Sequence, residues 1–445
     1  MAFEPSAFLA LPEASFFSFP LHKSPPFLAP PAPGSASFAP PFEIPDHIYQ
    51  AVLDPKVPIT IAVTYTITAK LLNAYNRSTG KKPWAISKTR AFKWFVILHN
   101  VLLAVYSAWT FVGMFGALRR SMVSPLGPDG LAGFVDSVCR VNGPAGLGNA
   151  VFYNEATGSW QSYNADVALT ANGNPSPLDA GRLWNEGLAF YGWIFYLSKF
   201  YEVVDTLIIL AKGKFGSTLQ TYHHAGAMMC MWAGMRYMSA PIWMFAFVNS
   251  GIHALMYTYY TITAFNVRVP TFIKRSLTTM QITQFLVGGS YATLHSFVNY
   301  YVPVIGQAAQ VAPATPSTVV NGSAAAIIND KTGTASARVE MPCVNTAGAT
   351  FAVWLNVLYL APLTYLFMAF FVESYMRRSN AEKKAGKQTV DRRMSNTAVL
   401  AEKAGWDAAK SVEREVYGQG NEEAVIDDTP ARKGKTSGRA LRSRQ

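Results

Sequence analysis

Polar side chains that can carry out chemistry lie inside apolar stretches of this chain. The run Gln220-Thr-Tyr-His223-His224 stands in one of them, and Gln220, His223 and His224 follow the i, i+3, i+4 spacing of one helical face. A neutral imidazole can attack a thioester and hold the acyl group, or it can act as a general base. Because polar groups are costly inside a membrane, these residues indicate a functional site.

Three further apolar segments carry polar stripes at helical spacing. In the first stripe, Lys199 can pair with Glu202 one turn away. The alternative for all three stripes is ion pairing and hydrogen bonding that only fixes helix packing. Together with the histidine segment they predict a polar-lined cavity that opens toward the cytosol. The stripes are Lys199, Glu202, Asp205 and Thr206; Asn249, His253 and Tyr257; and Thr278, Gln281 and Gln284.

The histidine content bears on a competing metal chemistry. The chain has 7 histidines, too few for the several histidine boxes of a di-iron site. A single zinc ion on His223, His224 and a carboxylate is the other alternative, but neighbouring helical residues point about 100° apart and rarely share one ion. We therefore expect acyl transfer with no bound metal or cofactor. The other histidines are interpreted as structural or surface residues: His22, His47, His99 and His295.

The composition is that of a membrane protein. Of the 445 residues, 50% are hydrophobic and 14% are charged, against roughly 25% charged in a soluble domain. We predict an all-α multi-pass fold of about seven transmembrane helices. The net charge of +12 comes from loops and the C-terminal part, so we do not expect nucleic-acid binding. The apolar segments are 57–72, 94–117, 183–210, 219–235, 242–265, 277–298 and 351–372.

The chain divides into three predicted parts. Residues 1–50 are rich in Pro and Phe and are expected to be disordered, without a cleavable signal peptide. Residues 51–378 form the transmembrane domain, and residues 379–445 form a basic, polar tail. Lysines and arginines cluster in the tail and in alternate loops, so the positive-inside rule places the C-terminus in the cytosol and the N-terminus on the luminal side.

The two long loops, 119–181 and 299–350, are predicted to share the luminal side. Each carries one cysteine, so Cys139 and Cys343 can form a disulfide in an oxidising lumen, with two free thiols as the alternative. Asn321 begins an Asn-Gly-Ser sequon and is a glycosylation candidate on that side.

Four of these segments resemble the motifs of the fatty acid elongase family, membrane condensing enzymes of very-long-chain and polyunsaturated fatty acid synthesis. The resemblance covers residues 50–378, and the parts outside it look like filamentous-fungal additions. Gln220 stands where many members have histidine, and the glutamine form is met more often in elongases of polyunsaturated chains. The matching motifs are Lys-x-x-Glu-x-x-Asp-Thr at 199–206, the histidine box at 220–224, and the segments 249–257 and 278–285.

The resemblance implies a seven-helix protein of the endoplasmic reticulum in which six helices form an inverted barrel around an acyl tunnel. It implies condensation of a long-chain acyl-CoA with malonyl-CoA to give 3-oxoacyl-CoA, CO₂ and CoA. His223 would be the nucleophile that accepts the acyl group, assisted by His253, with His224 as the third candidate catalytic residue. The candidate substrate-binding residues are Lys199, Glu202, Asp205, Gln220, Asn249, Tyr257, Thr278 and Gln281.

Partners follow from the same resemblance. The product would need separate reductases and a dehydratase of the same membrane, besides the lipids around the protein. Lys212, Lys214, Lys274 and Arg275 are expected where the CoA phosphates enter. The alternative class is a non-enzymatic seven-helix transporter or receptor, although no internal repeat of the transporter kind is visible in the sequence.

Overall fold

The computed structural model describes most of the chain. It describes the backbone alone, without the side chains, at residues 271, 274, 275, 319–320, 323–329, 335–336 and 369–385. The glycosylation candidate Asn321, the side chains of Lys274 and Arg275, and most of the predicted tail therefore lie outside the described residues. The described residues are 6–21, 24–31, 38–267, 269–306, 319–320, 323–329 and 335–385.

Helices make up most of the described chain, and each predicted apolar segment lies mainly within them. Two π-helical turns, Trp184–Gly192 and Phe245–Asn249, lead into α5 and α9, and short 3₁₀ turns occur at Ala14–Phe17 and Ala85–Lys88. The helices are α1 (Asp46–Val52), α2 (Lys56–Ser78), α3 (Arg90–Ser121), α4 (Gly130–Cys139), α5 (Trp193–Tyr201), α6 (Val203–Ala211), α7 (Thr218–Arg236), α8 (Ile242–Met244), α9 (Ser250–Ala264), α10 (Thr271–His295) and α11 (Ala347–Ala385).

Three of the described helices are long and apolar enough to cross a membrane: Lys56–Ser78, Arg90–Ser121 and Ala347–Met368. The remaining predicted segments are mainly helical, but two of them are divided into shorter elements: the third into a π-helical turn, α5 and α6, and the fifth into α8, a π-helical turn and α9. The structure is thus that of a mostly helical, multi-pass membrane protein. The count of seven spans and the inverted barrel stay predictions.

The strands lie at the N-terminal end and in the two long loops, which the all-α expectation did not include. An antiparallel sheet has the order β1-β4-β7-β6-β5, and β2 pairs with β3 in a hairpin. These loops therefore carry regular structure of their own. The strands are β1 (Ala7–Leu9), β2 (Val151–Asn154), β3 (Ser159–Ser162), β4 (Val298–Pro303), β5 (Val319–Val320), β6 (Ser323–Asn329) and β7 (Ala335–Pro342).

Those N-terminal residues that the structure describes (6–21, 24–31 and 38–50) pack onto the rest of the chain, although residues 1–50 were predicted to be a disordered segment. Strand β1 pairs with β4. The guanidinium of Arg236 lies 4.2 Å from the ring centroid of Phe27 and donates to the Pro25 carbonyl at 3.0 Å. Prolines and aromatic residues without periodicity predict no element, yet their rings supply apolar area that can be buried.

The two long loops are joined to each other. Cys139 at the end of α4 and Cys343 after β7 form a disulfide, with Cα atoms 4.9 Å apart. Around it, α4 and strands β2, β4 and β7 contribute a small hydrophobic core that includes Val135, Phe152 and Val302. We call residues 122–183 and 296–346 the loop module.

Candidate functional site

The carboxylate of Glu202 is the centre of a buried polar cluster. It accepts from Lys199 Nζ at 2.7 Å, and it lies 3.4 Å from His253 Nδ1 and 4.0 Å from His224 Nδ1. Lys199 Nζ also donates to Asn249 Oδ1 at 3.2 Å. The polar stripes of the third, fourth and fifth segments therefore meet at one point, and the predicted pairing of Lys199 with Glu202 is present.

Breaks in helical regularity position these side chains. Glu202 lies at the break between α5 and α6, and Asn249 ends the π-helical turn that precedes α9. Gly187, at φ 135°, interrupts the helix before α5 in a conformation that favours glycine. Such interruptions shift the rotation of the following turn, and π turns are frequent at functional sites.

A second carboxylate, Asp205, binds two groups that sequence reasoning did not connect. His99 Nε2 lies 2.7 Å from Asp205 Oδ1, and the Tyr257 hydroxyl donates to Asp205 Oδ2 at 2.6 Å. The other ring nitrogen of His99 lies 3.2 Å from the Tyr201 hydroxyl. His99, interpreted above as structural or surface, is buried in this network. Its place beside Asn100 within an apolar helix was the signal that could have identified it.

The two adjacent histidines of α7 point to different neighbours. His224 faces Glu202, whereas His223 Nδ1 lies 3.0 Å from the hydroxyl of Tyr359 in α11. The Tyr359 hydroxyl also donates to the backbone carbonyl of His223 at 2.9 Å. This divergence agrees with the helical rotation expected for neighbouring residues. Tyr359 belongs to none of the predicted stripes, so spacing could not identify it.

Two cavities meet at His223. The first is lined mainly by apolar side chains that include Phe195, Met231 and Leu360. The second is lined by Gln220, His224, His253, Tyr257 and Gln281 among others. Both cavities share the side chains of His223, Gln284 and Phe285.

Several buried polar atoms of this cluster have no hydrogen-bond partner among the described residues. An unmet buried donor or acceptor costs about 1–3 kcal/mol. A site that keeps several of them has polar groups available to a substrate or to water. The atoms are Glu202 Oε2, Gln220 Oε1 and Nε2, His224 Nδ1 and His253 Nδ1.

Of the remaining predicted site residues, some line the second cavity or lie close to it, and two lysines lie in a loop outside it. Gln281 lines the second cavity and its amide lies 3.2 Å from Met256 Sδ, while Thr278 is buried in α10. Lys212 and Lys214 follow α6 in the loop that precedes α7.

One group of side chains in and next to the loop module has potential metal-ligand atoms within 4.8 Å of one another: Cys139, His295 and Cys343. The two sulfurs are bonded to each other, however, and a ligand sulfur must be a thiolate.

The chain matches the model of the ELO family, described as the GNS1/SUR4 family, over residues 50–383, and it belongs to that family. This confirms the resemblance drawn from the motifs, while the fungal character of the remainder stays a prediction. No solved structure matches the chain.

Individual relatives align over part of their length. The chain is 34% identical over 110 residues to very long chain fatty acid elongase 3 of Homo sapiens, covering 25% of this chain and 41% of the relative. It is 30% identical over 208 residues to fatty acid elongase 2 of Trypanosoma brucei brucei, covering 46% and 64%. It is 28% identical over 231 residues to putative fatty acid elongase 4 of Caenorhabditis elegans, covering 52% and 60%. The chain thus spans less than two thirds of each.

Proposed function

We propose that the protein catalyses the condensing step of fatty acid elongation, in which a long-chain acyl-CoA and malonyl-CoA give 3-oxoacyl-CoA, CO₂ and CoA. One observation carries the proposal. The His223 side chain is part of the wall of both an apolar cavity and a polar cavity. A nucleophile that accepts an acyl group and passes it to a polar second substrate needs this position.

The apolar cavity suits the acyl chain. Its walls come from α5, α7, α10 and α11 and from the π-helical turn before α9. Each methylene group that leaves water for such a site contributes about 0.8 kcal/mol to binding. The thioester at the end of the chain would then lie beside the His223 ring.

The chemistry divides into two balanced steps. A ring nitrogen of His223 bonds to the thioester carbon while the C–S bond breaks, which leaves an acyl-imidazolium and CoA thiolate. Malonyl-CoA then loses CO₂, and the electron pair of the broken C–C bond attacks the acyl carbon. The N–C bond breaks, neutral His223 returns, and the thiolate takes a proton from water.

The polar cavity would stabilise the charges that form in these steps. The side-chain amide of Gln220 has no hydrogen-bond partner among the described residues. It can therefore donate to a developing oxyanion or to the malonyl carboxylate without first breaking another bond. Glu202, held by Lys199, would orient the imidazoles of His224 and His253.

The test is the variant His223→Ala, assayed in microsomes with acyl-CoA and carboxyl-labelled malonyl-CoA. We expect label release to fall at least about 10³-fold, as when a nucleophile is removed from other enzymes. His47→Ala, at an exposed histidine of α1, is the matched control and should keep its rate. A His223→Ala protein that still condenses would refute the nucleophile role, and transport of acyl-CoA without CO₂ release would favour the transporter alternative.

Intact-mass measurement separates the two roles open to His223. Purified protein given acyl-CoA alone should gain the mass of the acyl group, and His223→Ala should not. A protein that condenses normally yet never shows this adduct would have His223 acting as a general base.

The setting and substrate preference are part of the same proposal. We place the protein in the membrane of the endoplasmic reticulum with its C-terminus cytosolic and its N-terminus luminal, and its product would pass to the reductases and dehydratase of the elongation cycle. The glutamine at position 220 supports a preference for polyunsaturated acyl chains. Expression in a heterologous cell fed with defined acyl chains, followed by mass spectrometry of the products, measures that preference.

A further inference from the structure

Tyr359 makes two contacts with one residue, and these contacts concern the position of a proton. Its hydroxyl oxygen lies 3.0 Å from His223 Nδ1 and 2.9 Å from the His223 backbone carbonyl oxygen. Both distances are normal hydrogen-bond lengths. The ring lies in the wall of the apolar cavity, beside the imidazole that would take the acyl group.

The hydroxyl has a single hydrogen, and a carbonyl oxygen can only accept. If the hydrogen pointed at Nδ1, two oxygens would face each other at 2.9 Å with no hydrogen between them. If it points at the carbonyl, both contacts are hydrogen bonds, because Nδ1–H then donates to the hydroxyl oxygen. The second arrangement is favoured, and it leaves the lone pair of the neutral ring on Nε2.

We propose that Tyr359 is a positioning residue that fixes the tautomer of His223 and so selects Nε2 as the atom that attacks the thioester. The inference rests on the proposed function and deepens it. It also gives a role after the attack. The acyl-imidazolium keeps its Nδ1 proton, and the hydroxyl oxygen that accepts it stabilises the cation until the carbon nucleophile arrives.

The packing around the tyrosine supports a fixed geometry. The ring of Tyr222 packs at a centroid distance of 5.4 Å, and its hydroxyl donates to the Tyr359 carbonyl at 3.2 Å. Gly226 lies one helical turn after the histidine, and a Cβ there would stand 2.1 Å from the Tyr359 ring. The absence of a side chain at that position therefore lets the phenol approach α7.

The first experiment measures acylation alone, by quenched intact-mass spectrometry of purified protein mixed with a long-chain acyl-CoA. Removing one hydrogen bond to a charged group should slow adduct formation by about 10- to 100-fold in Tyr359→Phe. Tyr365→Phe is the matched control, because this tyrosine lies on the same helix and is 70% exposed. Acylation of Tyr359→Phe at the wild-type rate would overturn the proposal.

The second experiment distinguishes proton placement from simple support of the fold. Replacing His223 by Nδ1-methylhistidine leaves a ring whose lone pair can lie only on Nε2. In a Tyr359→Ala protein, which has room for the methyl group, this replacement should raise the acylation rate about tenfold, because the attacking lone pair then lies on Nε2 in every molecule. If the acylation rate does not rise in this variant, although the wild-type protein forms the adduct, the tautomer role would be overturned.

A third measurement needs no change at Tyr359. Nitrogen-15 spectra of wild-type protein labelled at histidine, with the His223 signals assigned by their loss in His223→Ala, should show a pyridine-like Nε2 and a protonated Nδ1. The reverse pattern would overturn the proposal even if Tyr359→Phe did not fold. A wild-type protein that condenses yet forms no adduct would instead refute the acyl-histidine, and with it the role of Tyr359, while the proposed condensing activity would stand.

Discussion

Two buried carboxylates in this protein, each at the centre of a charged cluster, differ in how completely their hydrogen bonds are made. In the loop module, Arg182 donates to Asp136 Oδ2 at 2.6 Å, and the Tyr300 hydroxyl donates to Asp136 Oδ1 at 2.8 Å. Arg182 also reaches the carbonyl oxygens of Pro144 at 2.8 Å and Gly146 at 2.9 Å. In the helical cluster, by contrast, Glu202 Oε2 and its histidine neighbours keep unmet atoms.

We interpret this difference as a distinction between buried charges that hold structure and buried charges that are available for chemistry. Burial, with Asp136 beside it, raises the pKa of the Tyr300 hydroxyl, so this group stays a donor and keeps its bond. Asp136 lines neither of the two cavities that meet at His223. The residues around Glu202 line both of them, and partners from outside can complete the bonds of this cluster. We therefore expect opposite responses to substitution in the two clusters.

The largest effect is expected for Arg182→Met in the loop module. The change leaves the Asp136 carboxylate buried without its cation and leaves several carbonyl oxygens without a donor. Removal of one partner from a buried ion pair costs about 3–5 kcal/mol. Thermal unfolding of the purified protein in detergent should show this loss, while the condensation rate per folded molecule stays close to that of the wild type.

Arg338→Met provides the control for that measurement. Arg338 is an exposed arginine of β7, and such substitutions usually change stability by less than about 0.5 kcal/mol. An Arg182→Met protein as stable as this control would contradict the structural role of the loop cluster. A folded Arg182→Met protein without activity would remove the distinction between the two clusters.

The next effect concerns the helical cluster, where the double variant Lys199→Met and Glu202→Gln removes both charges. Replacing a buried ion pair by neutral groups of similar volume is often near neutral for stability. The condensation rate should nevertheless fall by about 10²-fold or more, because the two imidazoles lose the carboxylate that orients them. Parallel measurement of unfolding temperature and CO₂ release checks both halves of this expectation.

An active double variant would contradict the assignment of Glu202 to the chemistry. An inactive one that is also strongly destabilised would make this cluster resemble the one in the loop module. In that case the unmet hydrogen bonds would not mark the functional site.

Helical spacing alone predicted that several polar residues of the Glu202 cluster lie close together. Lys199, Glu202 and His253 were placed on inward stripes from sequence, and the structure brings them together around one carboxylate. Such prediction works because a polar side chain inside an apolar helix must face the interior of the bundle or a water-filled cavity. The positions of the helical segments along the chain were predicted from hydropathy, because long apolar stretches in a membrane must form helices.

Residues without a periodic pattern could not be predicted. Tyr359 is one tyrosine among many apolar residues of α11, and only tertiary packing brings its hydroxyl to His223. The N-terminal strand β1 has three residues and forms by pairing with β4, nearly 300 residues away along the chain. A pairing between strands so far apart in sequence depends on the whole fold, so it cannot be predicted from the local strand propensity of the residues.

The smallest effect is expected outside the helical bundle, in the loop between α6 and α7. Burial, with Lys212 beside it, lowers the pKa of Lys214 to about 8. Arg77 and Lys81 lie 5.8 and 4.8 Å from the ring centroid of the adjacent Phe215, so four cations gather at this loop. The protonated share of Lys214 should fall from about 90% at pH 7 to about 10% at pH 9.

If the CoA phosphates bind at this loop, the KM for acyl-CoA should rise as pH passes through about 8 and one cation is lost. An exposed charge pair contributes about 0.2–1 kcal/mol, which corresponds to a rise in KM of roughly 1.4- to fivefold. Lys214→Arg should flatten the profile, because a guanidinium stays charged across this range. Initial rates at pH 7, 8 and 9 measure both proteins, and an equal rise in the arginine variant would place the titrating group elsewhere. A flat profile in both proteins would mean that the phosphates do not contact Lys214, and that this loop, unlike the Glu202 cluster, holds its charges without a ligand.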